Sequence, residues 1–382
     1  MSASRCHDIA DLRAAARRRI PWGLFDYVDR GCDADVGIAR NRAAFDAIRL
    51  APAVLRDVRG RSTTTRLFDR DLSFPAVIAP MSPAGFLWHE GEGHLAAAAA
   101  AAGVPYTLPT ESMTALADIA GSGADWWFQL YLWEDRRLSW NLVERVGAAG
   151  CGVLLLTVDT TVPPHRAFNA RSGFGAPFRP SVRAVVDGLA HPRWLFGTMG
   201  RYALTGGLPR KRNHPGTPAV LAASQAGVRL DGSLSWEDLA ELRRRWPGRL
   251  LVKGVLRAAD ARRAVAMGVD GVVVSNHGSR NLDAAVPAIE ALPAIVAAIG
   301  GQATILLDSG IRHGADIARA LVLGADAVLL GRAVLYGLAA YGRDGAGRAL
   351  DILSHEFDIA MALLGCTSPE QLGRDLLAGE TA

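Results

Sequence analysis

From residue 76 onward the chain repeats one pattern eight times, a short apolar or β-branched run followed by a longer stretch. The runs are AVIAP (76–80), VPYTL (104–108), WFQLYL (127–132), VLLLTVD (153–159), LLVKGV (250–255), GVVVSN (271–276), TILLD (304–308) and AVLLG (327–331). Between them the composition predicts helices at 91–103, 135–149, 236–246, 257–268, 286–299 and 313–323, several ending at Gly, as helices tend to. Strands alternating with helices imply a parallel α/β fold, and eight such units predict a (β/α)8 TIM barrel. A doubly wound sheet could also hold eight strands, but it would not need polar residues at every strand end.

Here every run does end in chemistry, or in Gly and Pro. In order these ends are Pro80 with Met81 and Ser82, Pro109, Gln129 with Tyr131, Thr157 with Asp159, Lys253, Ser275 with His277, Asp308 with Ser309 and Gly310, and Gly331 with Arg332. Barrel sites are built at the C-terminal mouth of the strands, so these side chains should converge on one pocket. The most informative stretch is GVVVSNHGSRNLD (271–283). An imidazole that can accept a proton near neutral pH stands three residues before a guanidinium that can hold a carboxylate by two parallel bonds. That pair suits the oxidation of a hydroxy acid, with His277 as base and Arg280 as carboxylate ligand. After runs seven and eight, DSGIRHG (308–314) and GRA (331–333) supply Gly-rich turns, Arg312 and Arg332 and helix N-termini, where this fold commonly grips a phosphate.

The chain resembles the FMN-dependent α-hydroxy-acid oxidases and dehydrogenases. The likeness is carried by FDYVDRG (25–31), FPAVIAP (74–80), HEGE (89–92), WFQLYLWEDR (127–136), LTVDT (156–160), LVKGV (251–255), SNHGSRNLD (275–283), DSGIRHGADIARAL (308–321) and LGRAVLYGLA (330–339). It implies FMN as cofactor, a small 2-hydroxy acid as substrate and oxygen, a quinone or another carrier as electron acceptor. By the resemblance His277 is the catalytic base and Asp159 its partner. Arg166 and Arg280 clamp the substrate carboxylate, and Tyr27 and Tyr131 bond the carboxylate and the reacting oxygen. Pro80, Met81, Ser82, Pro109, Gln129, Thr157, Lys253 and Ser275 face the flavin. Asp308, Gly310, Arg312, Gly331 and Arg332 hold its ribityl chain and phosphate. A cation at Lys253 would stabilise negative charge on the reduced ring. The sequence departs from the family at Met81–Ser82, where Thr or a small residue is usual; at Pro109, where Ser is usual and Thr110 is a candidate to compensate; and at Ser279, often Gly. The alternatives are an FMN barrel isomerase, against which the two arginines argue, and a non-catalytic FMN-binding barrel.

The 382 residues exceed a bare barrel, but the motifs leave no room for a second core, so one domain with appendages is expected. These are an N-terminal helical extension (1–70), a connection between strands four and five (160–235) and a C-terminal helical tail (333–382). Four Cys without paired spacing and no charged-then-apolar leader predict neither a disulfide framework nor secretion, hence the cytoplasm. The net charge of +4 comes with no nucleic-acid motif and no metal-ligand spacing. Trp88, Glu111, Trp133 and Phe168 are candidates to border the substrate side chain, and their bulk suggests an aromatic or sizeable apolar acid. Residues 191–216 interleave Trp194, Leu195, Phe196, Met199, Tyr202 and Leu204 with Arg193, Arg201, Arg210, Lys211 and Arg212. That is the pattern of an interfacial segment at the inner face of a membrane, or of a lid packed over the barrel mouth. With no continuous apolar helix face among Gly197, Gly200, Gly206 and Gly207, the lid is expected. The resemblance adds a homo-oligomer, a tetramer, as the assembly.

Overall fold

A computed structural model describes residues 2–173, 181–220 and 228–379. Parts of the 160–235 connection (174–180 and 221–227) and the last three residues of the tail lie outside the described residues. Eight parallel strands close into a barrel: β1 Ala76–Ile78, β2 Tyr106–Pro109, β3 Trp126–Leu130, β4 Val153–Thr157, β5 Arg249–Val255, β6 Gly271–Val274, β7 Thr304–Leu307 and β8 Ala327–Leu330. Strand β8 pairs with β1, so no edge is left open. All eight runs are strands because a barrel strand is covered on both faces and can be apolar throughout.

The boundaries move by a few residues. Strand β2 begins at Tyr106 rather than Val104, after Pro105, which has no N–H to give. Strands β3, β4 and β6 stop before Tyr131, Asp159 and His277, which places all three on the mouth rather than in the wall. Lys253 and Val255 bracket a register shift against β6, with Gly254 at φ 107° between them. Helices follow the strands at Gly91–Ala102, Leu116–Ala120, Arg136–Ala148, Trp236–Arg245, Ala258–Ala266, Ala288–Ile299, Gly314–Val322 and Arg332–Tyr341. Arg332–Tyr341 is thus the eighth barrel helix, and the tail beyond it is chiefly Arg343–Leu363, packed across three barrel helices.

Among the described residues the N-terminal extension has α-helices at Ile9–Arg19, Trp22–Asp29 and Val36–Ala47, after a 3-10 turn at Ala3–Arg5. Its last part corrects the expectation of a helical region to residue 70, because Thr65–Leu67 and Arg70–Leu72 form an antiparallel hairpin. The hairpin covers the N-terminal end of the barrel. Leu67 and Leu72 are buried, Phe68 lies 6.0 Å from the Trp127 ring near the start of β3, and Arg249 at the start of β5 stacks on Phe68 and pairs with Asp69.

The connection after β4 carries helices at Ala167–Ser172 and Val182–Ala190, with irregular helical turns from Pro192 to Thr205. One side of it packs against the segment after β1. Trp194 is buried with Nε1 donating to Phe86 O at 2.7 Å, and Tyr202 lies against His89. The other side does not. Val182, Val185, Val186 and Leu189 line one exposed face of helix Val182–Ala190, and Phe196, Leu204 and Leu208 further along are exposed as well, with Val182 83%, Phe196 72% and Leu204 88% exposed. That face begins upstream of residue 191, so a sequence window opened at 191 does not contain it. No described helix is long and apolar enough to cross a membrane.

Candidate active site

After β6 the backbone turns through three consecutive residues with positive φ, His277 (57°), Gly278 (64°) and Ser279 (59°). Such a run is costly for side-chain-bearing residues and persists only where the surroundings fix it. Here side chains hold each amide: His277 N donates to Ser275 Oγ (3.0 Å), Gly278 N to Ser309 Oγ (2.9 Å) and Ser279 N to Asn276 Oδ1 (3.1 Å). Asn276 is itself paired with Asn41 of the N-terminal extension, at 2.7 and 3.1 Å. Ser279 is accommodated because its neighbour is Gly37, where any Cβ would overlap its hydroxyl. Asp283 then caps helix Val36–Ala47 by accepting from Gly37 N (2.7 Å) and Val36 N (3.1 Å).

This turn delivers the imidazole. His277 Nδ1 lies 2.8 Å from Asp159 Oδ1, so Nδ1 carries the proton given to the carboxylate and Nε2 is left as the acceptor. Burial raises the Asp159 pKa, but His277 and Lys253 outweigh it and hold the carboxyl below the ordinary aspartate range. Asn281 Nδ2 fixes the same segment by donating to Asp159 O (2.8 Å) and Thr160 Oγ1 (2.7 Å). Gly254 makes room for it, since a Cβ there would lie 2.5 Å from Asp159 Cβ.

Beside the imidazole, Arg280 and Arg166 stand over Tyr27, their guanidinium carbons 4.9 and 5.8 Å from the ring centre. Burial would raise the Tyr27 pKa; the two cations outweigh it and lower it. Burial, helped by Arg166, pulls Arg280 down to about 9. Neither arginine offers its whole fork. Arg280 Nη1 donates to Tyr27 O (2.6 Å) and Arg30 O (3.1 Å), leaving its Nε–Nη2 edge, and Arg166 spends Nε and Nη2 on Arg280 O, at 3.2 and 2.9 Å. Tyr131 lies near, its pKa raised by burial and by Asp159.

On the inner side of the mouth, Lys253 Nζ bonds Ser275 Oγ and Asp308 Oδ2, each at 2.9 Å. Burial lowers the Lys253 pKa, but Asp308 and Asp159 outweigh it and the ammonium is kept charged. Gln129 Nε2 and Thr157 Oγ1 are buried with no partner. Two orphaned polar atoms beside a buried cation are what a ring with carbonyl and imide groups would satisfy, so the donor set fits a flavin. Met81 is buried nearby and Pro109 closes β2, offering only its carbonyl. Ser82 Oγ donates to Glu111 O (3.0 Å). Thr110 does not stand in for the Ser that Pro109 replaces, because its hydroxyl donates to Gln129 O (2.7 Å) and accepts from Tyr131 N (3.1 Å).

Of the two helix N-termini expected to hold phosphate, the one at Gly314 already faces a carboxylate. Asp316 accepts from Arg312 N and His313 N and pairs with Arg42 and Arg319. The other, at Gly331–Arg332, has no side-chain cap. Arg332 is half-buried there, its pKa lowered by desolvation to about 10, with Nε donating to Val28 O and Nη2 to Arg30 O, both at 3.0 Å. Arg312 lies over Tyr336 at 5.7 Å, and Gly310, at φ 113°, packs against Phe45.

The proposed pocket wall is only partly assembled. Trp88 stacks on Arg19 at 3.9 Å and abuts Gly342, at the far end of the helix that Arg332 opens, so it does not border the pocket. Phe168 is buried under Arg30 (4.7 Å), and Trp133 is buried behind His214. Glu111 stays at the rim. Sequence reasoning missed Asn41, Asn276, Gly254 and Asn281, which act on the site through other residues. The NLD that follows the His-Arg pair was the available signal for Asn281.

The family model for FMN-dependent dehydrogenases matches residues 16–379. The chain is 41% identical over 373 residues to an L-lactate dehydrogenase of Ectopseudomonas mendocina, covering 97% of this chain and 98% of that protein. It is 42% identical over 372 residues to an L-lactate dehydrogenase of Azorhizobium caulinodans, covering 97% of each. Among solved structures it superposes on the monotopic membrane protein (S)-mandelate dehydrogenase with a TM-score of 0.90, at 37% identity over 98% of this chain and 100% of that one. It superposes on mandelate oxidase with (S)-2-phenylpropionate with a TM-score of 0.80, at 37% identity over 96% and 97%. The chain belongs to the FMN-dependent α-hydroxy-acid oxidase and dehydrogenase family and is an oxidoreductase acting on the CH–OH group of an L-2-hydroxy acid.

Proposed function

We propose that FMN is held between Lys253, Gln129, Thr157 and Ser275 at its ring end and Gly331, Arg332, Arg312, Gly310 and Asp308 at its phosphate end, and that His277 is the base of the reaction. The observation that carries this reading is the meeting of the His277–Asp159 pair with Arg280, Arg166, Tyr27 and Tyr131 at one mouth. The Nε–Nη2 edge of Arg280 and the Nη1 of Arg166, which donate to no backbone carbonyl and face the Tyr27 hydroxyl, take the substrate carboxylate. His277 Nε2 receives the hydroxyl proton as the 2-oxo acid forms, and Asp159 stabilises the resulting imidazolium. Tyr131, kept protonated, donates to the reacting oxygen. Bound FMN supplies the two-electron acceptor, which passes the electrons on to oxygen, a quinone or another carrier. The test is anaerobic mixing of the purified yellow protein with 2-hydroxy acids. The flavin should bleach, and His277→Ala should retain FMN yet bleach ~10²–10⁴-fold more slowly, the range for a lost general base. Near-normal bleaching by that variant would remove His277 from the mechanism.

A specific observation favours a second element of function, attachment to a membrane surface. The segment that carries the exposed apolar face of helix Val182–Ala190 also exposes Phe196, Leu204 and Leu208, and Arg183, Arg193 and Arg201 are exposed along it. Apolar side chains interspersed with arginines suit the boundary of an anionic bilayer, and the superposable mandelate dehydrogenase is a monotopic membrane protein. On this reading one segment serves twice, packing Trp194 and Tyr202 inward and presenting its apolar face outward.

A further inference from the structure

Beyond β2 the chain rises through Thr110 to Glu111. Thr110 ties this segment to Gln129 and Tyr131 at the top of β3, and Ser82 ties the Glu111 carbonyl to the segment after β1. Glu111 therefore stands on the rim between β1 and β3, beside Tyr131. Its carboxylate is gripped from the connection after β4, by Lys211 Nζ on Oε2 (2.7 Å) and His214 Nε2 on Oε1 (2.9 Å). Those two are fixed in turn. Arg212 N donates to Ser112 O (3.0 Å), Leu116 N to Asn213 Oδ1 (3.0 Å), and Trp133 lies edge-on to His214 at 5.0 Å. Burial raises the Glu111 pKa, but His214 and Lys211 outweigh it and bring it down to about 2, so the group is an anion at any working pH. The Glu111 charge is also among those that raise the Tyr131 phenol.

A carboxylate has about four acceptor positions. Lys211 and His214 occupy two, and the side chain keeps 28% of its surface open. We infer that Glu111 is a specificity-determining residue, which reads the side chain of the hydroxy acid and selects acids bearing a hydrogen-bond donor, such as a hydroxyl, over acids with a purely hydrocarbon side chain. The inference rests on the hydroxy-acid reading above and names its substrate class more narrowly. Covering an ionised acceptor with hydrocarbon leaves it without water or partner, whereas a hydroxyl gains a charge-assisted bond. Sites built this way discriminate strongly against analogues lacking the donor.

The experiment compares kcat/KM and anaerobic flavin bleaching for matched pairs, (S)-mandelate against (S)-4-hydroxymandelate and L-2-hydroxybutyrate against L-2,4-dihydroxybutyrate. The wild type should favour the hydroxylated member of at least one pair tenfold or more. Glu111→Gln, which keeps the shape but loses the charge and one acceptor oxygen, should reduce that preference to threefold or less, and Glu111→Val should reverse it. Lys211→Met, which leaves the carboxylate in place, should retain it. Equal rates within both pairs, a preference unchanged in Glu111→Gln, or a preference lost in Lys211→Met alone would overturn the role of Glu111. Failure of the FMN-loaded wild type to bleach with any acid of a panel from glycolate to indole-3-lactate would instead overturn the hydroxy-acid reading.

Discussion

His277 is delivered by its backbone as much as by its rotamer. Its left-handed φ is fixed by Ser275, Ser309 and Asn276, so replacements there should disturb catalysis without touching substrate. Asn276→Ala is expected to slow bleaching while the flavin spectrum is retained, as stopped-flow and absorbance would show. Gly254 is equally constrained, having a positive φ and no space for a Cβ beside Asp159. Gly254→Ala should cost on the order of 1–3 kcal/mol of stability, readable in urea melts, and displace the imidazole's partner. Arg280→Lys should be damaging despite its retained charge. One ammonium cannot bond Tyr27 O and Arg30 O and still present a planar edge to a carboxylate. A bleaching rate within threefold of wild type would contradict this. At this scale the sequence was legible wherever a polar residue ended an apolar run. It was silent about which N–H groups of Arg166 and Arg280 were already used, because backbone carbonyls 114 to 253 residues away use them.

Among elements, the barrel strands were legible because two-sided burial writes itself as an unbroken apolar run. The hairpin at 65–72 was not, since three-residue strands leave no period to read. The apolar face at 182–189 was open to reading, with apolar residues at 182, 185, 186 and 189 in helical spacing, but it precedes the aromatic and basic cluster that drew attention. If that face meets lipid, Val185→Glu with Leu189→Glu should abolish sedimentation with anionic vesicles while leaving soluble turnover intact. Unchanged sedimentation would assign the face another partner. The grip on Glu111 has its own pH signature. A folded pKa of about 2 lies below the ordinary carboxylate value of 4.5, so its stabilisation is complete above pH 4.5 and is lost as pH falls towards 2. The wild type's advantage over Glu111→Gln in thermal melts should shrink as pH falls from 4.5 towards 2.

For the molecule as a whole, the C-terminal end of helix Trp22–Asp29 joins two halves of the site. The Arg30 carbonyl accepts from both Arg280, assigned to the substrate in the proposed function, and Arg332, assigned there to the phosphate. FMN at a hundred times its dissociation constant should stabilise the fold by about 2.7 kcal/mol, and hydrogen exchange at residues 22–30 should slow together with the barrel mouth. Exchange there that ignores FMN would separate the two halves. The hairpin beneath the barrel carries a further consequence. With the barrel interior packed by side chains and its N-terminal end covered by the hairpin, a hydroxy acid and an electron acceptor that both react at the mouth would share that one approach, and a 2-oxo acid still in place would block the acceptor. Steady-state kinetics should therefore show parallel double-reciprocal lines, and the 2-oxo acid should compete with the acceptor for the reduced enzyme.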